Sequence, residues 1–134
     1  MTIDLDALRS LLAEEPDVQL AILFGSLATW RATAGSDLDL AISTGGEMSS
    51  ERRQELSDRL AGLVGRPIDL IDLATSGGAL HGQILRTGTI VIETVPGVLG
   101  RLHERFLDWQ ADLAPAVESL LRTRRARLLS IGHG

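Results

Sequence analysis

Between Leu20 and Ile42 the chain reads LAILFGSLATWRATAGSDLDLAI, and this stretch restricts the fold more than any other. Five apolar residues, Leu20 to Phe24, have the length and character of a buried strand and stop at Gly25-Ser26. Asp37 and Asp39 follow, two apart, and run into apolar Leu40, Ala41 and Ile42. The pattern predicts a first strand within Asp17–Ser26, a short helix over Leu27–Thr33, a turn at Ala34-Gly35 and a second strand over Ser36–Ser43. Strand side chains alternate between faces, so Asp37 and Asp39 share one face while Leu38 and Leu40 take the other.

Carboxylates on one strand at that spacing, Cα atoms about 6–7 Å apart, repel by roughly 2–3 kcal/mol at an effective dielectric near 20. A divalent cation removes the repulsion, and Mg²⁺ accepts a few carboxylate oxygens together with substrate phosphates. Gly25 lets the backbone approach an anion, Ser26 adds a hydroxyl, and a following helix start aims free N–H groups at phosphate. Together these residues describe a metal and triphosphate site. A solvated strand end after a Gly-Ser turn is the alternative reading of the same residues.

Gly25-Ser26, ten residues, then Asp37-Leu38-Asp39 resembles the G-S-x(10)-D-x-D signature of the DNA polymerase beta-like nucleotidyltransferase superfamily. With the later segment PIDLIDLA, the short chain is most similar to its minimal nucleotidyltransferase (MNT) branch, the antitoxins encoded beside HEPN-domain toxins. The resemblance covers Val18 to Ala74 well and the C-terminal part loosely. It implies transfer of AMP from Mg·ATP to a tyrosine hydroxyl of a cognate HEPN toxin, which is thereby neutralised within a hetero-oligomer. Asp69 and Asp72 are three apart, so on one strand only one of them joins the Asp37/Asp39 face. The resemblance selects Asp69, giving a catalytic and metal-binding set of Asp37, Asp39 and Asp69 for two Mg²⁺ ions, and leaves Asp72 near the strand end, toward solvent or as a cap. Gly25, Ser26 and Arg31 form the nucleotide-binding set. Many relatives carry Arg and then Gly where this chain has Thr29 and Trp30. Arg31 is the loop's only cation, open to a phosphate-binding or a solvent-facing reading, and Trp30 to a stacking or an anchoring one. Two other functions remain open: an antitoxin that neutralises by binding alone, and a nucleotidyltransferase for small molecules.

The length of 134 residues predicts one domain with a real core and no room for a separate acceptor domain. That disfavours the larger tRNA-, poly(A)- and antibiotic-modifying relatives. Net charge is −5, acid-rich through residue 99 and arginine-rich beyond, so no direct nucleic-acid binding is expected. The chain has no Cys, which excludes disulfides and thiolate chemistry. No apolar stretch has membrane-spanning length, and the start lacks a signal-peptide pattern, so a cytoplasmic location without membrane contact is expected. The chain has no Tyr, so a tyrosine acceptor lies in another protein.

The expected fold class is α/β, a polymerase beta-like fold with a small mixed sheet of about four strands and helices packed on one side. Residues 1–95 are expected to form the nucleotidyltransferase domain and residues 96–134 a helical extension of it. Ile3–Glu15 reads as an amphipathic helix capped by Thr2 or Asp4, and a second begins at Ser49-Ser50-Glu51 and runs to about Val64, with Leu56, Leu60, Leu63 and Val64 inward and Gly65 ending it. Strands follow at Ile68–Leu73 and Thr89–Thr94, separated by a helix over Ala79–Arg86. Val98–Leu113 and Ala116–Leu129 read as two helices broken at Pro115. His81, beside a helix start, reads as a capping or surface group. Leu102, Phe106, Leu107 and Trp109 read equally as core or partner surface, and the Arg122-to-Arg127 tail as a solvated helix end or as an element that docks an acidic partner or weakly contacts RNA.

Overall fold

The run Leu20–Phe24 becomes β1, with all five side chains buried, as a continuous apolar strand requires when both faces of its sheet are covered. In the computed structural model, which describes residues 4–25 and 38–131, the order is α1 (Leu5–Ala13), β1, β2 (Leu38–Ser43), α2 (Ser50–Val64), β3 (Ile68–Asp72), α3 (Gly78–Thr87), β4 (Thr89–Glu93) and α4 (Val98–Ile131). The four strands stand in the order β3-β2-β1-β4. β1 runs antiparallel to β2 and β4, whereas β2 and β3 are parallel and joined through α2.

Local signals fix the helix ends. The Asp4 carboxylate accepts from Ala7 N–H at 3.0 Å and starts α1; Ser49 Oγ accepts from Arg52 N–H at 3.1 Å and starts α2. Gly65, at φ 76°, ends α2 in the left-handed conformation open to glycine. Leu8 and Leu12 of α1 and Leu56 and Leu60 of α2 are buried in one cluster with Ala21, Leu23, Leu38, Leu40, Ile42 and Leu70 of the sheet. Leu63, expected to face inward, is 44 % exposed, because the packed stripe runs through Leu56, Leu60 and Val64 at four-residue intervals and leaves Leu63 at its margin.

The expectation of helices on one side holds for α1 and α2 only. Ile84 of α3 and Val98 and Leu102 of α4 pack over Leu20, Ile22, Phe24 and Ala41 on the other face. That second cluster follows from the sequence of β1, whose residues are apolar at every position and so need cover on both sides.

The two C-terminal helices expected around Pro115 are one helix, α4, with the proline inside it. Proline removes one hydrogen bond and crowds the preceding turn. The Ala-, Leu- and Gln-containing turns before it and the Ala-Val-Glu-Ser-Leu-Leu run after it are good helix formers, and the helix continues. Phe106 and Trp109 stack with ring centroids 5.7 Å apart, while Leu107, Leu113, Val117, Leu120 and Leu121 are exposed. None of the helices among the described residues is long and apolar enough to cross a membrane.

Candidate active site

The site is built where β1 ends and β2 and β3 begin. Phe24 pairs with Asp39 across β1 and β2, and Asp39 pairs with Asp69 across β2 and β3. Leu38, Leu40 and Leu70 are drawn into the core under α1 and α2, so alternation turns Asp39 and Asp69 to the opposite face together. Asp39 is half-buried and Asp69 exposed. Neighbouring strands lie about 4.8 Å apart, so two ionised carboxylates in register repel by about 3 kcal/mol at an effective dielectric near 20.

Gly25 closes the third side. Its φ is 79°, and a Cβ placed on it would collide with the Asp39 carboxylate, reaching 3.0 Å from Cγ. Two hard oxygen donors side by side, against a backbone turn without a side chain, fit a hard divalent cation such as Mg²⁺. Asp39, Asp69 and Gly25 are therefore brought together as a unit. Ser26, Arg31 and Asp37, with Thr29, Trp30 and the helix expected at Leu27–Thr33, lie outside the described residues.

Asp72 is placed otherwise than expected. It lies on the other face from Asp69, but it is only 1 % exposed and accepts hydrogen bonds from Met48 N–H at 2.8 Å and Ala74 N–H at 2.9 Å. One carboxylate thus ties down both the loop entering α2 and the turn leaving β3, which is why it is neither solvent-facing nor a helix cap.

His81 is likewise no surface group. It is 1 % exposed, with Nε2 3.1 Å from the Leu102 carbonyl and Nδ1 3.0 Å from Ser76 Oγ and 3.2 Å from Arg105 Nη2. Burial pushes the imidazole below its ordinary pKa, with a smaller push from the Arg105 and His103 charges, against the Leu102 bond. In the neutral ring Nε2–H donates to Leu102, and Nδ1 accepts from Ser76 and Arg105. Arg105 also donates to the carbonyls of Leu73 and Ser76, so α3, α4 and the turn after β3 form one polar joint. The signal was present in the sequence: His81, Ile84 and Leu85 share one helical stripe.

The profile of the family described as "Polymerase beta, Nucleotidyltransferase" matches residues 6–96. The chain belongs to that family. Protein adenylyltransferase MntA of Shewanella oneidensis is 32 % identical to it over 73 residues, 54 % of this chain and 52 % of the relative. The chain thus spans about half the length of that curated relative. A crystal structure of a toxin–antitoxin with AMP-PNP is similar with a TM-score of 0.72 at 23 % identity, covering 89 % of this chain and 99 % of the other. The tri-AMPylated Shewanella oneidensis HEPN toxin in complex with its MNT antitoxin gives a TM-score of 0.64 at 22 % identity, covering 87 % and 95 %. At these identities the structures establish that this nucleotidyltransferase shares their fold. Helix α4 starts at Val98, just beyond the family match.

Proposed function

We propose that the chain transfers AMP from ATP to a tyrosine hydroxyl of a cognate HEPN-domain toxin and so neutralises it. The observation that carries this reading is the register pairing of Asp39 with Asp69 beside Gly25 in a member of the nucleotidyltransferase family. The likeness to a protein adenylyltransferase and the fold shared with the antitoxin of an AMPylated toxin support the acceptor.

In this reading Gly25 and Ser26 hold the β- and γ-phosphates, with Arg31 as their counter-charge. Asp37, Asp39 and Asp69 hold Mg²⁺, which when bound neutralises phosphate charge and polarises the reacting phosphoryl group. Asp69, the most exposed described carboxylate of the site, accepts the proton of the tyrosine hydroxyl. The phenolic oxygen forms a bond to the α-phosphorus, the bond from that phosphorus to the bridging oxygen breaks, and pyrophosphate leaves with the electron pair. Residues 1–95 carry this chemistry, and residues 96–134 extend the same domain.

Incubation of the chain with Mg·ATP and the product of its neighbouring gene, followed by intact mass measurement, tests the reading. One or more AMP masses on the partner are expected, lost at least about 10²-fold in rate with Asp37→Asn or Asp39→Asn, equivalent to about 2.7 kcal/mol. A partner bound and inhibited at unchanged mass would make the chain a neutralising binder instead.

A further inference from the structure

β3 is the outer strand of the sheet, and among the described residues it pairs with β2 alone. The direction of its backbone groups follows from the ends of that ladder. Leu38 N–H donates to the Pro67 carbonyl and Leu73 N–H to the Ile42 carbonyl, each at 2.9 Å. In a parallel pair, a residue that bonds its neighbour turns both its N–H and its C=O toward it, and alternate residues turn both away. Positions 67, 69, 71 and 73 therefore face β2. The N–H and C=O of Ile68 and Leu70 point outward, on either side of Asp69.

A cavity of about 220 Å³ opens along the same edge, bounded by Leu70 and Ile71 of β3, Arg53 of α2 and Leu80 of α3. α2 belongs to the layer on one face of the sheet and α3 to the layer on the other. The cavity thus lies between the two layers, in line with the sheet, where a fifth strand would run. Leu80 is 42 % exposed there and Arg53 is exposed at the mouth.

We propose that this edge receives an extended segment of the acceptor polypeptide as an added strand. The segment presents its hydroxyl side chain to Asp69 and seats the side chain two residues along against Ile71 and Leu80. The inference rests on the transferase reading and names how its acceptor is recognised. Asp69 and Ile71 share one face at the two-residue repeat of a strand, about 6–7 Å, so consecutive same-face side chains of a paired segment fall on these two positions. Main-chain bonds to Ile68 and Leu70 give affinity for any extended segment, and the pocket gives selectivity for an apolar residue two positions from the acceptor. A second copy of this chain is a poorer occupant, because pairing β3 with itself about Asp69 sets like charges opposite one another.

The test uses the full chain, Mg·ATP and the partner protein of the adjacent gene, with two readouts. Leu80→Glu, a surface change, is expected to raise KM for the partner by about tenfold or more while KM for ATP stays as in the wild type; Leu80→Met restores the wild-type value. Hydrogen exchange is expected to show the Ile68 and Leu70 amides protected when the partner is added, and unprotected with Leu80→Glu. AMP transfer with an unchanged KM in Leu80→Glu and no protection of these amides overturns the edge-strand proposal and leaves the transferase reading standing. Protection without any AMP transfer upholds the edge as the binding site and overturns the transferase reading. A dimer of this chain that protects these amides without the partner overturns the proposal in favour of self-pairing.

Discussion

Gly25 stands directly against the carboxylate of Asp39, with no room between them for a methyl group. The glycine is thus required twice, by its positive φ and by the side chain beside it. Gly25→Ala is expected to displace Asp39 and lower AMP transfer by at least about tenfold, with about 1–2 kcal/mol of strain in the turn. Steady-state transfer and urea unfolding measured on the same sample check both effects. Wild-type activity in this variant would mean that the turn relaxes without moving the carboxylate.

The part of this site that was legible in the sequence is the part fixed by period. Alternation in Leu-Asp-Leu and in Ile-Asp-Leu-Ile-Asp decides which described side chains share a face, and Asp39 and Asp69, set apart from Leu38, Leu40, Leu70 and Asp72, follow that rule. What alternation cannot give is who bonds whom across the fold. Asp72 was separable from Asp69 by parity, yet its partners, Met48 and Ala74, lie in a loop 24 residues before it and in the turn beside it. His81 depends on Arg105, another element that only tertiary packing brings near. Pro115 misled because a proline penalty is local, whereas helix continuity depends on the turns around it.

Asp72 carries a stability prediction separate from catalysis. Asp72→Ala leaves the buried N–H of Met48 without its acceptor, costing about 1–3 kcal/mol, and releases the Ala74 N–H, which is only partly buried and open to water. The expected result is a marked fall in the denaturation midpoint. Asp69→Asn, at an exposed position, is expected to shift the midpoint little while abolishing transfer. Equal destabilisation by the two substitutions would contradict these assignments.

Arg52 joins α2 to the segment between α1 and β1. It bonds both Asp17 oxygens, at 2.9 and 2.6 Å, and reaches buried Glu15 at 2.8 Å, while Arg59 pairs with the other Glu15 oxygen. Arg52→Ala is expected to cost about 2–3 kcal/mol, because Glu15, 6 % exposed, loses one of its two cations. The Asp17 carboxyl is held below its ordinary pKa, first by its hydrogen bonds to Arg52. Its contribution is therefore present above pH 3.8 and is lost as pH falls through the lowered folded value. Acid unfolding curves of wild type and Arg52→Ala are expected to converge at the acid end.

His81 gives the opposite element of the fold its own pH dependence. Its pKa is lowered from 6.5 in the folded chain, so below that value the unfolded state takes up a proton that the buried ring does not. Stability from this residue is full above pH 6.5 and declines as pH falls from there toward the depressed folded value, by at most about 1.4 kcal/mol per pH unit. Once protonated, Nδ1–H would face the Arg105 guanidinium instead of accepting from it, and Ser76 Oγ would be left as its only acceptor. The joint between α3, α4 and the turn after β3 is then expected to loosen first, seen as smaller hydrogen-exchange protection factors in α3 at pH 5.5 than at pH 7, each taken against the unstructured amide rate at the same pH. His81→Gln lacks the titrating group, so its difference in unfolding free energy between those two pH values is expected to be smaller than that of the wild type. An identical pH slope in both proteins would mean that His81 is not its source.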